Sequence, residues 1–519
     1  MKKQIWVFYI LLFATVHYAQ VPELSWGQEK SAKGVGKWLN YAPIGYTKDY
    51  YFVKSKAKKQ KELIQYDLQN NLIRITPLAF EYEGDEVDIF KIINTAQGNY
   101  LLGSNHKKKQ KKTFVHFSII YKDGEIGKEL MHLYAYDYKK SSLMGPEDIP
   151  NKDAFGIKLS PDSTKVIFTN VLSNEEPRKR KHKEQYFIKV YDERMEKIWE
   201  QKLEFTEADR DIEIDQFEIS NKGTVYLLTK TNVKGRLEKW LPNFNYAILK
   251  VNEKGIFKKI EVKLEKNYPK NAYLYEHPDG SFYLFGYYTE KKKRDVFRKE
   301  HGVFMIKYNS DMEEVFQKQN RWEDDFYNEL VREHKIDRIP TFISDYDILN
   351  NEFFIEEMHV NHMSNSITFV SEHRFSRMKQ RPSERDFTKH HANYLIISSL
   401  DFDGKLLWTA SVSKDTEKRF SNKNFVSSYK DGNLFLVFED KKTLKERIDS
   451  DEKRKFSTSY TDIARVDENG KVDLRETIFT SKEIGLSFDA YRSINLSNDL
   501  ILLLAYSLKS AQCGILKLP

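Results

Sequence analysis

Cysteine is nearly absent. Cys513 is the only one in 519 residues, so no disulfide can form within the chain and the fold has to rest on burial. Long hydrophobic runs are missing too. No stretch reaches the roughly 20 apolar residues that a membrane-crossing helix needs. The sequence has no H-E-x-x-H, no G-x-S-x-G, no phosphate-binding glycine loop and no cysteine pair for zinc. His359 and His362 lie three apart in a strand-like stretch, which puts them on opposite faces, and His390 with His391 fails as a metal pair for the same reason. These absences speak against a metalloenzyme, a serine hydrolase and a nucleotide-dependent enzyme, and no cofactor is expected.

What the chain does have is a repeat. An apolar stretch, a tight polar turn and a second apolar stretch recur, followed by a Lys/Arg-rich connection and another hairpin. Ile157–Leu159 and Val166–Phe168 flank Ser160–Pro161–Asp162, Leu274–Tyr275 and Phe282–Phe285 flank His277–Pro278–Asp279–Gly280, and Leu434–Phe438 follows Asp431–Gly432. The runs are short and rich in Tyr, Phe, Ile and Val, as strands are. Turn pairs punctuate them at Gln97–Gly98, Asp162–Ser163, Lys222–Gly223, Asp279–Gly280, Asp431–Gly432 and Asn498–Asp499. Second hairpins turn at Asp123–Gly124, Glu253–Gly255, Asp403–Gly404 and Glu468–Gly470. First strands begin near Tyr41, Asp88, Ala154, Ile214, Asn271, Asn351, Phe425 and Phe488.

Paired hairpins at a period of tens of residues predict an all-β fold, a single β-propeller of eight four-stranded blades over residues 20–519. Seven blades, with one unit as an insertion, is the alternative count. The last unit offers three strands, around Tyr491, Leu502 and Ile515. The segment Pro22–Gly27, with Leu24 and Trp26, is expected to supply the fourth and close the ring. Glu323–His334 has helical spacing and Pro340 ends it, which predicts a short helical insertion around 323–335 that packs Phe326 and Leu330 on a blade.

Charge is the main functional signal. The net charge is +8, and the connection after the second strand is basic in most units. These clusters include Lys58 and Lys59; Lys107, Lys108, Lys109, Lys111 and Lys112; Arg178, Lys179, Arg180 and Lys181; Lys291, Lys292, Lys293 and Arg294; and Lys441 and Lys442. In a four-stranded meander these connections emerge on one face of the disc, so a ring of basic fingers is expected there. The connections between units share that face and two are acidic, Glu81–Asp88 and Glu207–Glu213, running inward. Two readings stay open. The lysines act as solvated gatekeepers against aggregation, or they present positive charge to an anionic partner.

The start of the chain reads as an export signal over residues 1–19: Lys2 and Lys3, the apolar run Ile5–Val16, and a cleavage point near Ala19–Gln20. With no later spanning helix, the mature chain is expected in the periplasm, or alternatively secreted or associated with the outer membrane.

Leu159–Ser160–Pro161–Asp162–Ser163–Thr164–Lys165–Val166–Ile167–Phe168 resembles the S-P-D-G-x-x-I-x-F signature of TolB-like and WD40-like propeller repeats, departing at Ser163 where the family has glycine. His277–Pro278–Asp279–Gly280 comes close to it. The basic start followed by Ala19–Gln20 is similar to secretory signals of Gram-negative bacteria that use type 9 secretion. The resemblance implies an interaction platform and transfers no catalytic residue. The functional expectation is a non-enzymatic binding subunit docking an envelope protein, such as a component of an outer-membrane complex, through the basic-rimmed face. Anionic lipid head groups fit the same chemistry, and nucleic acid does not fit an exported protein. A carbohydrate-active enzyme with channel carboxylates is the alternative.

Overall fold

The structure, a computed structural model, describes residues 22–31, 41–57, 60–107, 109–137, 155–172, 185–205, 212–233, 242–265, 267–290, 300–323, 325–326, 346–381, 384–418, 423–441, 458–507 and 510–519. They form eight antiparallel blades. Seven are four-stranded meanders, with first strands Tyr41–Tyr46, Asp88–Asn94, Phe155–Leu159, Ile212–Ile219, Asn267–Glu276, Tyr346–Asn361 and Phe425–Lys430. The eighth joins Leu500–Tyr506 and Ser510–Lys517 to Glu23–Trp26, which pairs antiparallel with the latter in the register Leu24↔Leu516 and Trp26↔Gly514. The expected count and the expected closure both hold. Tyr491 is not on a strand: the first strand of blade 8 is split into Ser487–Phe488 and Ile494–Ser497 by a turn at residues 490–492. That turn is held by Asp489, whose carboxylate accepts from the Arg492 N–H and whose backbone carbonyl accepts from the Ser493 hydroxyl.

Residue choice follows position in the blade. Phe282–Glu290 is buried at every residue except Glu290. A second strand lies between two neighbouring blades, so both of its faces must be apolar. The fourth strand Leu72–Pro77 alternates between exposed and half-buried positions instead, as a one-sided edge does. Consistently, the buried apolar side chains divide into eight clusters, each bridging two adjacent blades. One cluster joins blades 1 and 2 through Phe52, Leu63, Ile89 and Leu101. The ring ends with Tyr51 and Val53 of blade 1 against Leu502 and Leu504 of blade 8. Leu24 and Trp26 complete the seam between blades 7 and 8, where the Trp26 ring lies 5.1 Å from Phe479. Gly514 faces that indole, and a Cβ there would come within 2.8 Å of it.

The turn between third and fourth strands recurs in one form. An Asx side chain at its first position accepts from backbone N–H groups two and four residues on, as in Asp67, Asp192, Asn309, Asp401 and Asp467. The fourth position is left-handed, at Asn70, Met195, Met312, Gly404 and Gly470. Trp408 of blade 6 covers Gly470 so closely that a Cβ would meet its ring at 2.7 Å. In the Ser-Pro-Asp turn of blade 3, Ser163 itself takes a positive φ of 58°, in the position where the resembled signature has glycine. A four-residue helix, Ser481–Ile484, follows blade 7. It was not expected, and Thr480 and Glu483 form its capping box. Of the expected helical insertion residues 323 and 325–326 are described, and 325–326 are helical. Phe326 packs on Trp322 at 5.5 Å. Residues 1–19 lie outside the described residues, as does most of 323–335.

Two outcomes follow. Trp26→Ala should destabilise the protein by about 2–3 kcal/mol, below the usual cost of truncating a fully buried tryptophan, seen as a lower urea midpoint at unchanged slope. The exposed Leu72→Ala should shift it by less than about 0.5 kcal/mol, and equal losses would refute the closing role. Gly470→Ala should cost about 1–2 kcal/mol, whereas Ser163→Gly should be neutral or stabilising by up to about 1 kcal/mol; the opposite signs in thermal unfolding would contradict the turn assignment.

Candidate functional site

The hairpin between the second and third strands of blade 2 presents the best described part of the basic face. Its lysines fall into two kinds. Lys107, at the end of Asn99–Lys107, is ion-paired with Glu83 and lies 3.6 Å from Asp85. Its ammonium also sits 5.7 Å above the rings of Tyr82 and Phe114. Tyr82 in turn lies 4.3 Å from His116, whose burial holds its pKa down at about 4. The acidic connection therefore folds down over blade 2, and Lys107 fastens it. Lys109, Lys111 and Lys112, at the tip, are exposed and have no partner among the described residues. The same connection neutralises blade 1. Asp88 accepts from Lys54 at 3.0 Å and from Lys61 at 2.7 Å, and Glu86 lies 3.0 Å from Lys61. Lys441 is half-buried and donates its backbone N–H to Asp415. Lys58, Lys59, Lys108, Arg178, Lys179, Arg180, Lys181, Lys291, Lys292, Lys293, Arg294 and Lys442 lie outside the described residues.

The second polar region is the axis. Apart from blades 2 and 3, the first strands of successive blades adjoin one another, so they line the axis of the ring. Several carry polar side chains that cross between blades. Gln216 of blade 4 accepts from the Leu274 N–H and donates to the Leu274 carbonyl of blade 5, both at 2.7 Å. The Asn271 amide donates to the Phe353 carbonyl of blade 6. Glu357 of blade 6 accepts from the Ser427 N–H of blade 7 at 2.8 Å and is ion-paired with Lys423. His359 reaches the Ser427 hydroxyl at 2.6 Å, while His362 turns to His277 at 5.6 Å. The two histidines diverge, because His359 lies on the strand Tyr346–Asn361 and His362 in the turn that follows it. Ser427 is fully buried, so its contacts with His359 and Glu357 hold strands together rather than present a nucleophile.

Sequence reasoning did not single out Gln216, Asn271 or Glu357. Each follows a β-bulge in its strand, where the pairing register shifts. A bulge breaks the period-2 alternation from which facing is read.

Carboxyl groups also meet near the axis. Lys158 of blade 3 is ion-paired with Glu218 of blade 4, which also accepts from Gln216 at 2.6 Å. Glu276, at the end of the first strand of blade 5, has a buried Oε2 without a hydrogen-bond partner among the described residues. Burial, reinforced by the nearby Glu218 carboxylate, pushes its pKa up to about 8. Glu218 and Glu276 are only 8% and 6% exposed, which leaves little surface for a sugar to reach. Because the folded state holds the Glu276 proton more tightly than the unfolded chain does, its contribution to stability is intact below about pH 4.5 and falls as pH rises to about 8. Glu276→Gln should flatten that decline in thermal unfolding measured across this range, and an unchanged pH slope would show that Glu276 does not carry it.

No protein-family model matches the chain, and no curated protein matches it. Solved structures do. The WD40 domain of SCAP from fission yeast aligns over 96% of this chain and 98% of its own, at 10% identity and a TM-score of 0.38. The β-propeller domain of the Trilobed protease from Pyrococcus furiosus covers 85% of this chain and 97% of its own, at 9% identity and 0.35. An acylaminoacyl peptidase from Pyrococcus horikoshii covers 94% of this chain and 58% of its own, at 8% identity and 0.37. Likeness at this level concerns fold alone and transfers neither residues nor activity. The strand order makes this chain an all-β propeller of eight four-stranded blades.

Proposed function

We propose that the protein is a non-enzymatic binding scaffold of the bacterial envelope, working in the periplasm and docking an acidic partner protein through the lysine-tipped face of the disc. The observation that carries this reading is the division of lysines on that face. Lys54, Lys61 and Lys107 are paired with Asp88, Glu86, Glu83 and Asp85. Lys109, Lys111 and Lys112 at the tip are exposed and unpaired among the described residues. Unpaired, projecting charge of one sign raises the rate of encounter with a surface of the other sign. The export-like start of the sequence and its likeness to type 9 signals support the compartment, and an outer-membrane complex is the kind of partner that fits there. The alternative, a carbohydrate-active enzyme, would have to work through Glu218 and Glu276, and their burial weighs against it.

The test is affinity purification of the tagged protein from the periplasmic fraction at low and high salt, with wild type and the K109E/K111E/K112E variant. An envelope protein should co-purify, its yield should fall in high salt, and the triple variant should lose it while unfolding at the wild-type midpoint. A partner that ignores both salt and charge reversal would overturn the reading, as would the absence of any partner.

A further inference from the structure

The connection between blades 1 and 2 carries a small hairpin of its own. Glu81–Tyr82 pairs antiparallel with Asp85–Glu86, and the turn residues Glu83 and Gly84 both take positive φ. A ladder this short does not hold itself together. The hairpin is joined to none of the eight blade sheets, so its position depends on what its side chains grip. Glu83 and Asp85 grip Lys107, and Glu86 grips Lys61. Tyr82 lies over two imidazoles, His116 at 4.3 Å and His132 at 5.9 Å.

His116 is the critical partner. It sits on an inner strand of blade 2, Lys112–Ile120, and its side chain is fully buried. Its Nε2 lies 3.0 Å from Asn105 Oδ1, so that nitrogen carries the ring proton and donates it. Nδ1 is buried too and has no hydrogen-bond partner among the described residues. A second proton on this ring would therefore lack an acceptor and would place an unsolvated charge in the interior. The charges nearby offer little relief. His132, its ring 5.5 Å away, and Lys107 carry the same sign when protonated. Glu83 and Asp85 are of opposite sign but face Lys107, while across the seam Lys54 and Lys61 are held by Asp88 and Glu86. With Tyr82 lifted away, water can reach Nδ1 and that cost disappears.

We propose that the hairpin Glu81–Glu86 is an acid-released cover, shut at neutral pH by Tyr82 over a neutral His116 and lifted when that imidazole takes up its second proton. Lifting withdraws Glu83 and Asp85 from Lys107, which then joins Lys109, Lys111 and Lys112 as unpaired charge. The carboxylates act in the same direction, since protonating Glu83 or Asp85 weakens their hold on Lys107. In the shut form burial, reinforced by His132, holds the His116 pKa down at about 4. The open form binds the proton more tightly, at the ordinary histidine value of about 6.5. The shut form is therefore fully favoured above about pH 6.5 and loses ground as the pH falls toward about 4. The proposal does not rest on the docking reading, because the hairpin lifts or stays down whatever the lysine-tipped face binds.

A nitroxide on Glu81→Cys of the full-length protein tests it without any partner. Glu81 is exposed and is no part of the clasp, and the native Cys513 is buried, so the label goes to one site. The mobile fraction of the label should rise about tenfold from about pH 6 to about pH 5, a range in which ordinary carboxylates stay ionised. With His116→Gln added it should stay flat over that range. Because the glutamine variant loses a buried ring, the NMR signal of the His116 Cε1–H group in the Glu81→Cys protein gives a second measure, and it should titrate over the same range as the label's release. A label equally immobile at both pH values, a rise unchanged by His116→Gln, or release over a range in which His116 does not titrate would overturn the proposal.

Discussion

Every sheet in this molecule has two faces to cover, and only another sheet can cover them. That constraint governs the rest. A single blade would expose the apolar side chains on both faces of its second strand, as in Phe282–Glu290, so the chain is stable only as a ring in which each blade seals its neighbours. The core is accordingly divided into eight seams rather than gathered in one mass, and the seams are equivalent links of a closed loop. One open seam would leave two sheet faces wet. The N-terminal strand Glu23–Trp26 carries out this closure, with only four residues in its ladder.

The axial stitches make the same demand at finer scale. Propeller blades touch mainly through apolar surfaces, which resist separation but slide easily because hydrophobic contact is non-directional. Gln216, Asn271 and Glu357 add directional bonds between adjacent first strands. They fix the stagger of one blade on the next. The third-to-fourth-strand turns do similar work at the outer edge, where Trp408 sits over Gly470 and a larger residue would lever the two blades apart.

The architecture was legible in the sequence because its determinants are local. Strand composition, turn residues and the repeat are all read within a few positions, and they led to eight blades and to the donor strand at Leu24–Trp26. The turns at Asn70, Met195 and Met312 were harder to see. They take the left-handed conformation without glycine, and their Asx partners lie three residues upstream. The split first strand of blade 8 was misread at Tyr491 for a related reason, since an apolar aromatic in a turn looks like a strand residue. The channel was not legible. Its chemistry depends on bulges, and a bulge is a relation between two strands that leaves no mark on either one alone. The charge pattern was legible as composition but not as pairing: Lys107 and Lys109 look alike in sequence, and only the fold over Tyr82 separates the fastened lysine from the free one.

The closing strand has a kinetic consequence. Ser25 and Ile515, whose side chain and carbonyl meet at 3.5 Å, are 490 positions apart in sequence. Contacts of such separation form late, because nearly the whole chain must already be ordered for the two ends to find each other. Until then blade 8 has an unpaired strand edge beside the apolar residues Ile501, Leu503 and Leu516, a surface that other chains can pair with. A ring of this kind thus passes through an open form before it closes. The span during which it is open sets how much protection from self-association the chain requires on its way to the folded state.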